Sequence, residues 1–278
     1  MITFRKRKTD LEFPETMLHK KLNFAATEAY KLLRTNLLFT LPDENKCRIV
    51  GVTSAMRGEG KSTTSVNLSY TLAETGKRVL LIDADLRLPT VAKKVEKIAP
   101  SPGLSNVLAG IASEKDVIQI SEDLPNWHFI TAGDIPPNPT EMLASSQTKA
   151  LISRLSEEYD FIIIDVPPVN VVSDALIVSA MVDGMLVVVR ENYSGRRDIQ
   201  HCMRQLELAD AKVLGFVMNS AHEASGGYKK YKKYYKYYGK KKAYGYENAY
   251  GDYAYADAQP EEEEKSGEEQ GASDAKEV

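Results

Sequence analysis

The chain has 278 residues, 43% of them hydrophobic and 27% charged, with a formal net charge of -3, the balance of an ordinary soluble globular protein. No apolar run approaches the roughly 18 residues that a membrane span needs. The two cysteines, Cys47 and Cys202, are too far apart for a C-x-x-C or metal-binding pattern, which fits structural thiols in a reduced cytosol. Charge is segregated by sign: Arg5, Lys6, Arg7 and Lys8 open the chain, a Tyr/Lys segment near the end is basic, and Asp257 to Val278 is acidic. The opening MITFRKRKTD lacks an apolar core and is not read as a secretory signal.

Residues 1–24 read as a charged, flexible arm. From Ala25, AATEAYKLLRTNLL has apolar residues at helical spacing, and PDENK ends that helix. A βα alternation follows. RIVGVTS (Arg48 to Ser54) is a β-branched run that leads through a glycine loop into the helix STTSVNLSYTLAET. RVLLIDAD, WHFITAG, FIIIDVPP, GMLVVVR and AKVLGFVMN are further strand-like runs. Between them lie PTEMLASSQTKALISRLSEE and RRDIQHCMRQLELA, both read as helices. Continuous apolar strands alternating with helices predict an α/β domain over residues 25–222, with a doubly wound, mostly parallel sheet. Residues 223–278 lack the aliphatic content for a core and are expected to form a disordered tail, Tyr/Lys-rich and then acidic.

SAMRGEGKST directly follows a strand and opens a helix. In that context it reads as a P-loop (Walker A motif), a variant one because Ala55 stands where the first glycine usually does. Arg57, Gly58, Glu59, Gly60, Lys61, Ser62 and Thr63 would wrap the phosphates: backbone N–H groups point inward, Lys61 reaches the β- and γ-phosphates, and the Ser62 hydroxyl meets Mg²⁺. Carboxylates at the ends of parallel strands overlook the ligand crevice. Asp83 and Asp85 of LLIDADLR and Asp165 of FIIIDVPP occupy such ends, Asp165 in the place of a Walker B aspartate. A nucleotide triphosphatase using ATP and Mg²⁺ follows, with Ser62 and Asp165 on the metal and Asp83 and Asp85 able to face one Mg²⁺ or one reacting hydroxyl. Asn219, ending the last strand, is either a reader of the adenine edge or a turn residue. Asp174 reads as a helix cap, His128 and His201 as structural residues, and Tyr30, Tyr70, Tyr159 and Tyr193 as packing residues.

Eleven of the fifteen tyrosines fall in the tail: Tyr228, Tyr231, Tyr234, Tyr235, Tyr237, Tyr238, Tyr244, Tyr246, Tyr250, Tyr253 and Tyr255. Lysines interleaved with aromatics suit single-stranded nucleic acid, an anionic membrane or a solvated linker. Beside an ATP site, an extended row of phenols reads instead as a substrate, and no nucleic acid is expected.

The variant P-loop, LLIDADLR with Arg87, IIIDVPP, the helix EAYKLLR, the segment GDIPPNPTEML and the tyrosine cluster together resemble the bacterial tyrosine kinases over residues 25 to 255. The resemblance implies a protein-tyrosine autokinase that phosphorylates its tail in trans. Lys61 and Asp83 would act on the transferring phosphoryl group and the phenol, with Asp85 and Asp165 arranging the metal. Glu28, Lys31 and Arg34 match the family's E-x-x-R-x-x-R oligomerisation motif with lysine in place of its first arginine, which keeps the charge and loses the bidentate fork. A ring-shaped homo-oligomer, a membrane activator of the polysaccharide co-polymerase type, a cognate tyrosine phosphatase, a role in capsule or exopolysaccharide synthesis and a place at the inner face of the cell membrane are all implied. The alternative is a positioning-type P-loop ATPase whose basic tail binds membrane or nucleic acid. Met56 stands where partition and septum-placement ATPases usually carry a second lysine, and the tail has no apolar stripe of the membrane-helix kind.

Overall fold

The computed structural model describes residues 22–41 and 46–220. Two units divide the chain, Met1–His222 and Glu223–Val278, and every described residue belongs to the first. The elements run α1 (Phe24–Thr40), β1 (Arg48–Ser54), α2 (Lys61–Ala73), β2 (Val79–Asp83), α3 (Val91–Lys94), α4 (Leu104–Leu108), α5 (Glu114–Val117), β3 (Gln119–Ile120), β4 (Trp127–Ile130), α6 (Pro139–Ala144), α7 (Ser146–Leu155), β5 (Phe161–Asp165), α8 (Asp174–Ser179), β6 (Gly184–Arg190), α9 (Arg196–Leu208) and β7 (Val213–Asn219). They form a sheet of order β3-β4-β2-β5-β1-β6-β7, parallel throughout except that β3 runs antiparallel to β4.

The continuous apolar runs are strands covered on both faces. Along β5, Ile162 and Ile164 enter one core while Phe161 and Ile163 enter the other, as a period of two requires. The first core lies under α4 to α9, through Leu104, Val117, Leu143, Leu151, Ala175 and Leu206. The second lies under α1, α2 and α3, through Leu37, Leu68, Leu72 and Val91.

Helix α2 is almost wholly buried although it is rich in hydroxyl and amide side chains. It tolerates this because those groups bond its own carbonyls: Ser65 Oγ donates to Lys61 O at 2.9 Å, Asn67 Nδ2 to Thr63 O at 2.9 Å and Thr71 Oγ1 to Leu68 O at 2.9 Å. Helix α1 starts at Asn23, whose side chain accepts from Ala26 N. It is tied to α2 by Arg34, which donates to Thr71 O at 2.5 Å.

Three features differ from the sequence-based expectation. The long helix read over PTEMLASSQTKALISRLSEE breaks at Ser145. That residue is extended (φ -66°, ψ 155°) and caps α7 by accepting from Thr148 N at 3.3 Å. The short helices α3, α4, α5 and α8 and the two-residue β3 carry too few residues to establish a period. Asp174, read as a helix cap, lies inside the first turn of α8, and its carboxylate serves another purpose.

Trp127 on β4 is fully buried, donates from Nε1 to Ser69 Oγ at 3.0 Å and meets Phe129 edge-on at 4.4 Å between ring centroids. It joins the sheet to α2 beneath the P-loop helix. Trp127→Ala is expected to lower stability by about 3–5 kcal/mol, read as a reduced urea midpoint by far-UV circular dichroism. A loss below about 1 kcal/mol would mean that the packing around the indole is not as tight as described.

Candidate active site

Strands β2, β5 and β1 are consecutive neighbours, so their C-terminal ends bring Asp83, Asp165 and the loop after Ser54 to one edge of the sheet. The loop is curled by two left-handed glycines, Gly58 at φ 80° and Gly60 at φ 95°. A Cβ on Gly60 would lie 1.9 Å from Asn219 Nδ2, so this position also needs glycine for space. Ala55 has no such need: it is absent from the left-handed residues, which is why alanine can replace the usual first glycine. Among the described residues the N–H groups of Gly58, Glu59 and Gly60 have no backbone acceptor. They stand at the N-terminus of α2, where its dipole favours an anion.

Glu59 was grouped with the phosphate-wrapping residues, but its side chain turns under the loop. It is fully buried and accepts from Met56 N at 2.8 Å. Burial pushes its carboxyl up, against the pull of the Met56 N–H. It braces the loop from beneath. Asn219 does the same from the side, donating from Nδ2 to Glu59 O at 2.8 Å. Arg57 and Gly58 are exposed on the outer curve, and Thr63 is half-buried in the first turn of α2.

Lys61 is the centre of the charged cluster. Its Nζ lies 3.0 Å from Asp85 Oδ2 and 3.3 Å from Asp165 Oδ2. Burial works against its charge, but Asp165 and then Asp85 more than restore it, and its pKa stands above the ordinary lysine value. Asp165 also accepts from Ser62 Oγ at 2.5 Å and from Ser65 Oγ at 3.0 Å. Asp83 is aligned with Asp165 across the β2–β5 ladder and is fully buried. Its Oδ1 accepts from Asp85 N at 3.1 Å, and its Oδ2 accepts from Thr90 N at 3.1 Å and Val91 N at 3.0 Å. Burial first, and then the neighbouring Asp165 charge, raise its pKa to about 7. A carboxylate offers about four lone-pair sites. Three are occupied here, leaving one on Oδ1 to take a proton.

Three carboxylates face one ammonium in a buried spot, so negative charge is in excess. Among the described residues no set of three or more His, Cys, Asp or Glu forms a complete metal cage. Ser62, Asp85 and Asp165 instead suit a Mg²⁺ that arrives with phosphate oxygens and keeps waters of its own. With the inward N–H groups they fit a magnesium-bound nucleotide.

Several contributors escaped the sequence reading. Asp174 is fully buried and accepts from Arg87 Nε at 2.8 Å and Nη2 at 3.3 Å, while Thr140 Oγ1 bonds both partners. This clamp joins the loop after β2 to the first turns of α6 and α8; nothing in local sequence links three such distant residues. Arg190 Nη1 donates to Gly58 O at 3.3 Å, and its guanidinium lies over the Tyr193 ring. Tyr193, read as a packing residue, is 54% exposed. With Met56, Arg57, Val171 and Asp198 it lines a cleft of about 510 Å³ beside the P-loop. His128 and His201 are structural as expected: His128 Nε2 donates to Pro125 O and its Nδ1 accepts from the Tyr159 hydroxyl, while His201 bonds Asn170.

The oligomerisation candidates sit on α1. Lys31 pairs with Glu28 at 2.9 Å, half-exposed, and Arg34 donates from Nη1 to Thr71 O of α2. The eleven tail tyrosines lie outside the described residues.

Residues 47–214 match the family model of an AAA domain. Tyrosine-protein kinase CpsD of Streptococcus agalactiae is 35% identical over 204 residues, 73% of this chain and 87% of the relative. Tyrosine-protein kinase YwqD of Bacillus subtilis (strain 168) is 38% identical over 213 residues, 75% of this chain and 87% of the relative. Among solved structures, the chimerical protein CapA2B2 superposes with a TM-score of 0.69 at 31% identity, over 76% of this chain and 92% of that one. The kinase domain of the Escherichia coli tyrosine kinase ETK gives 0.65 at 33%, over 72% and 78%. The septum site-determining protein MinD with Mg-ADP from Pyrococcus horikoshii gives 0.54 at 26%, over 64% and 72%. A P-loop with Lys61 set between strand-end aspartates, on this sheet and with these relatives, places the chain in the family of bacterial tyrosine-protein kinases, ATP-binding P-loop enzymes that phosphorylate tyrosine.

Proposed function

We propose that the protein is an ATP- and Mg²⁺-dependent autokinase whose substrates are its own C-terminal tyrosines, Tyr228 to Tyr255, presented by one copy to the site of another. The observation that carries this reading is the pairing of Lys61 with both Asp85 and Asp165 at the mouth of the P-loop.

In the reaction, the N–H groups of Gly58, Glu59 and Gly60 hold phosphate oxygens, and Lys61 leaves its carboxylates to follow the γ-phosphoryl group as charge develops there. Ser62, Asp85 and Asp165 would hold Mg²⁺, which when bound would neutralise phosphate charge. A phenol with a pKa of about 10 is a poor nucleophile until its proton is being taken. Asp83 takes it on the free lone pair of Oδ1, and its other three positions stay tied to N–H groups that fix its orientation. The Arg87–Asp174–Thr140 clamp keeps the loops around this carboxylate in place.

The rest follows the resemblance and the similarity to CpsD, YwqD and CapA2B2. Residues 25–222 form the kinase domain and 223–278 its substrate tail. Copies assemble through Glu28, Lys31 and Arg34 into a ring. A membrane protein of the polysaccharide co-polymerase type activates the kinase and holds it at the membrane, a phosphatase resets the tail, and capsule or exopolysaccharide synthesis is the regulated process. Among the described residues no helix is long and apolar enough to cross a membrane, so attachment through a partner suits the described part of the chain.

With labelled ATP and Mg²⁺, in the presence of the activator's cytoplasmic peptide, label is expected on tail tyrosines. Lys61→Met or removal of Mg²⁺ by EDTA should reduce it by about a thousandfold or more. Phosphate release without labelled tyrosine would favour the positioning ATPase instead. The acid limb of kcat/KM tests Asp83. A base works ionised, so a carboxyl raised to about 7 loses activity as pH falls through that value, or lower when Mg²⁺ adds positive charge nearby. Asp83→Asn should abolish the limb together with most of the rate; an unchanged profile would remove Asp83 from this role.

A further inference from the structure

Tyr193 is the tyrosine that the proposed function leaves out and the structure leaves exposed. Tyr159 is 5% exposed and its hydroxyl donates to His128. Tyr70 stands edge-on to Trp127 at 5.3 Å and is half-buried, and Tyr30 is half-buried beside Asn67 and Thr64. Tyr193 alone among the described tyrosines belongs to the exposed class, on the loop between β6 and α9. Its hydroxyl lies 3.1 Å from where a Cβ on Gly58 would be, and its ring lies 5.2 Å from the Arg190 guanidinium, which itself holds Gly58 O. Arg57 lines the same cleft.

We infer that Tyr193 is a second acceptor of the kinase, phosphorylated by a neighbouring copy, and that its phosphate weakens nucleotide binding at the P-loop it touches. The step is the one that modifies the tail. The Tyr193 oxygen bonds to the γ-phosphorus of the neighbour's ATP, the bond from that phosphorus to the β–γ bridging oxygen breaks, ADP leaves, and the phenolic proton passes to the neighbour's carboxylate cluster. The product carries about -1.5 to -2 charges at the outer curve of a loop built to receive an anion. Arg57 lines the cleft with Tyr193, the Asp198 carboxylate is also in its wall, and Arg190 lies over the Tyr193 ring; an Arg190 guanidinium drawn to the phosphate gives up Gly58 O and with it one support of the loop. The modified loop therefore holds ATP more weakly, and the kinase limits itself.

The proposal rests on the autokinase reading, and peptide mapping separates the two. Tryptic cleavage after Arg190 and Arg196 releases Glu191–Arg196, which contains Tyr193 as its only tyrosine and no tail residue. After incubation of the full chain with MgATP and the activator peptide, tandem mass spectrometry should find phosphate on Tyr193 in the wild type and none in Lys61→Met. The dissociation constant for MgADP, measured before and after exhaustive phosphorylation, should rise about tenfold in the wild type and stay level in Tyr193→Phe, each compared with its own starting value. Tail tyrosines labelled with Tyr193 unmodified would overturn this inference and leave the autokinase standing. An equal rise in Tyr193→Phe would overturn the regulatory role, and absence of all label would remove both.

Discussion

The site turns on one buried ammonium group. Lys61 sits between Asp85 and Asp165, and the surrounding parts serve to keep that arrangement together. Asp165 is held by two hydroxyls of α2, so the helix that carries the lysine also fixes its counter-charge. Asp83 lies beside Asp165 on the neighbouring strand, and its burial is tolerable because three backbone N–H groups point at it. Removing one member of such a cluster leaves the others buried and unpaired, a far larger cost than the net worth of any single pair. Without nucleotide the lysine itself offsets part of the negative charge. Asp85 and Asp165, with the Ser62 hydroxyl, would hold a Mg²⁺ in place of that ammonium, which is the exchange the proposed reaction requires.

The supports around the loop divide by direction. Glu59 acts from below, Asn219 from the side and Arg190 from the outer curve, each through the loop backbone. Such bonds constrain shape without covering the inward N–H groups, and a loop pre-shaped in this way loses less freedom when a phosphate arrives. The Arg87–Asp174–Thr140 clamp constrains the segments after β2, β4 and β5 through side chains instead.

Much of this was legible in the sequence for a physical reason. Strands covered on both faces must be apolar without interruption, so RIVGVTS, RVLLIDAD, FIIIDVPP and GMLVVVR stand out. Lys61, Asp83, Asp85 and Asp165 follow from their places at strand ends, because a parallel sheet presents all its ligand-facing termini at one edge. The partners of those residues were not legible. Asp174 looks like a first-turn acid until Arg87, 87 positions away, is seen to hold it. Ser145 reads as one more polar residue of a long helix, and only its extended backbone divides α6 from α7. Tyr193 was read as packing because aromatics next to regular elements usually are buried; here the ring lies over an arginine at the rim.

The tie between Asn219 and Glu59 has a mechanical consequence. Asn219 is the last residue of β7, an edge strand, and the chain continues from it through Ser220 toward the tyrosine-rich segment. The root of that segment is thus joined by one amide to the backbone of the phosphate loop. Asn219 O also accepts from Glu191 N at 3.0 Å, so the last residue of β7 is tied at once to the phosphate loop and to the residue that follows β6.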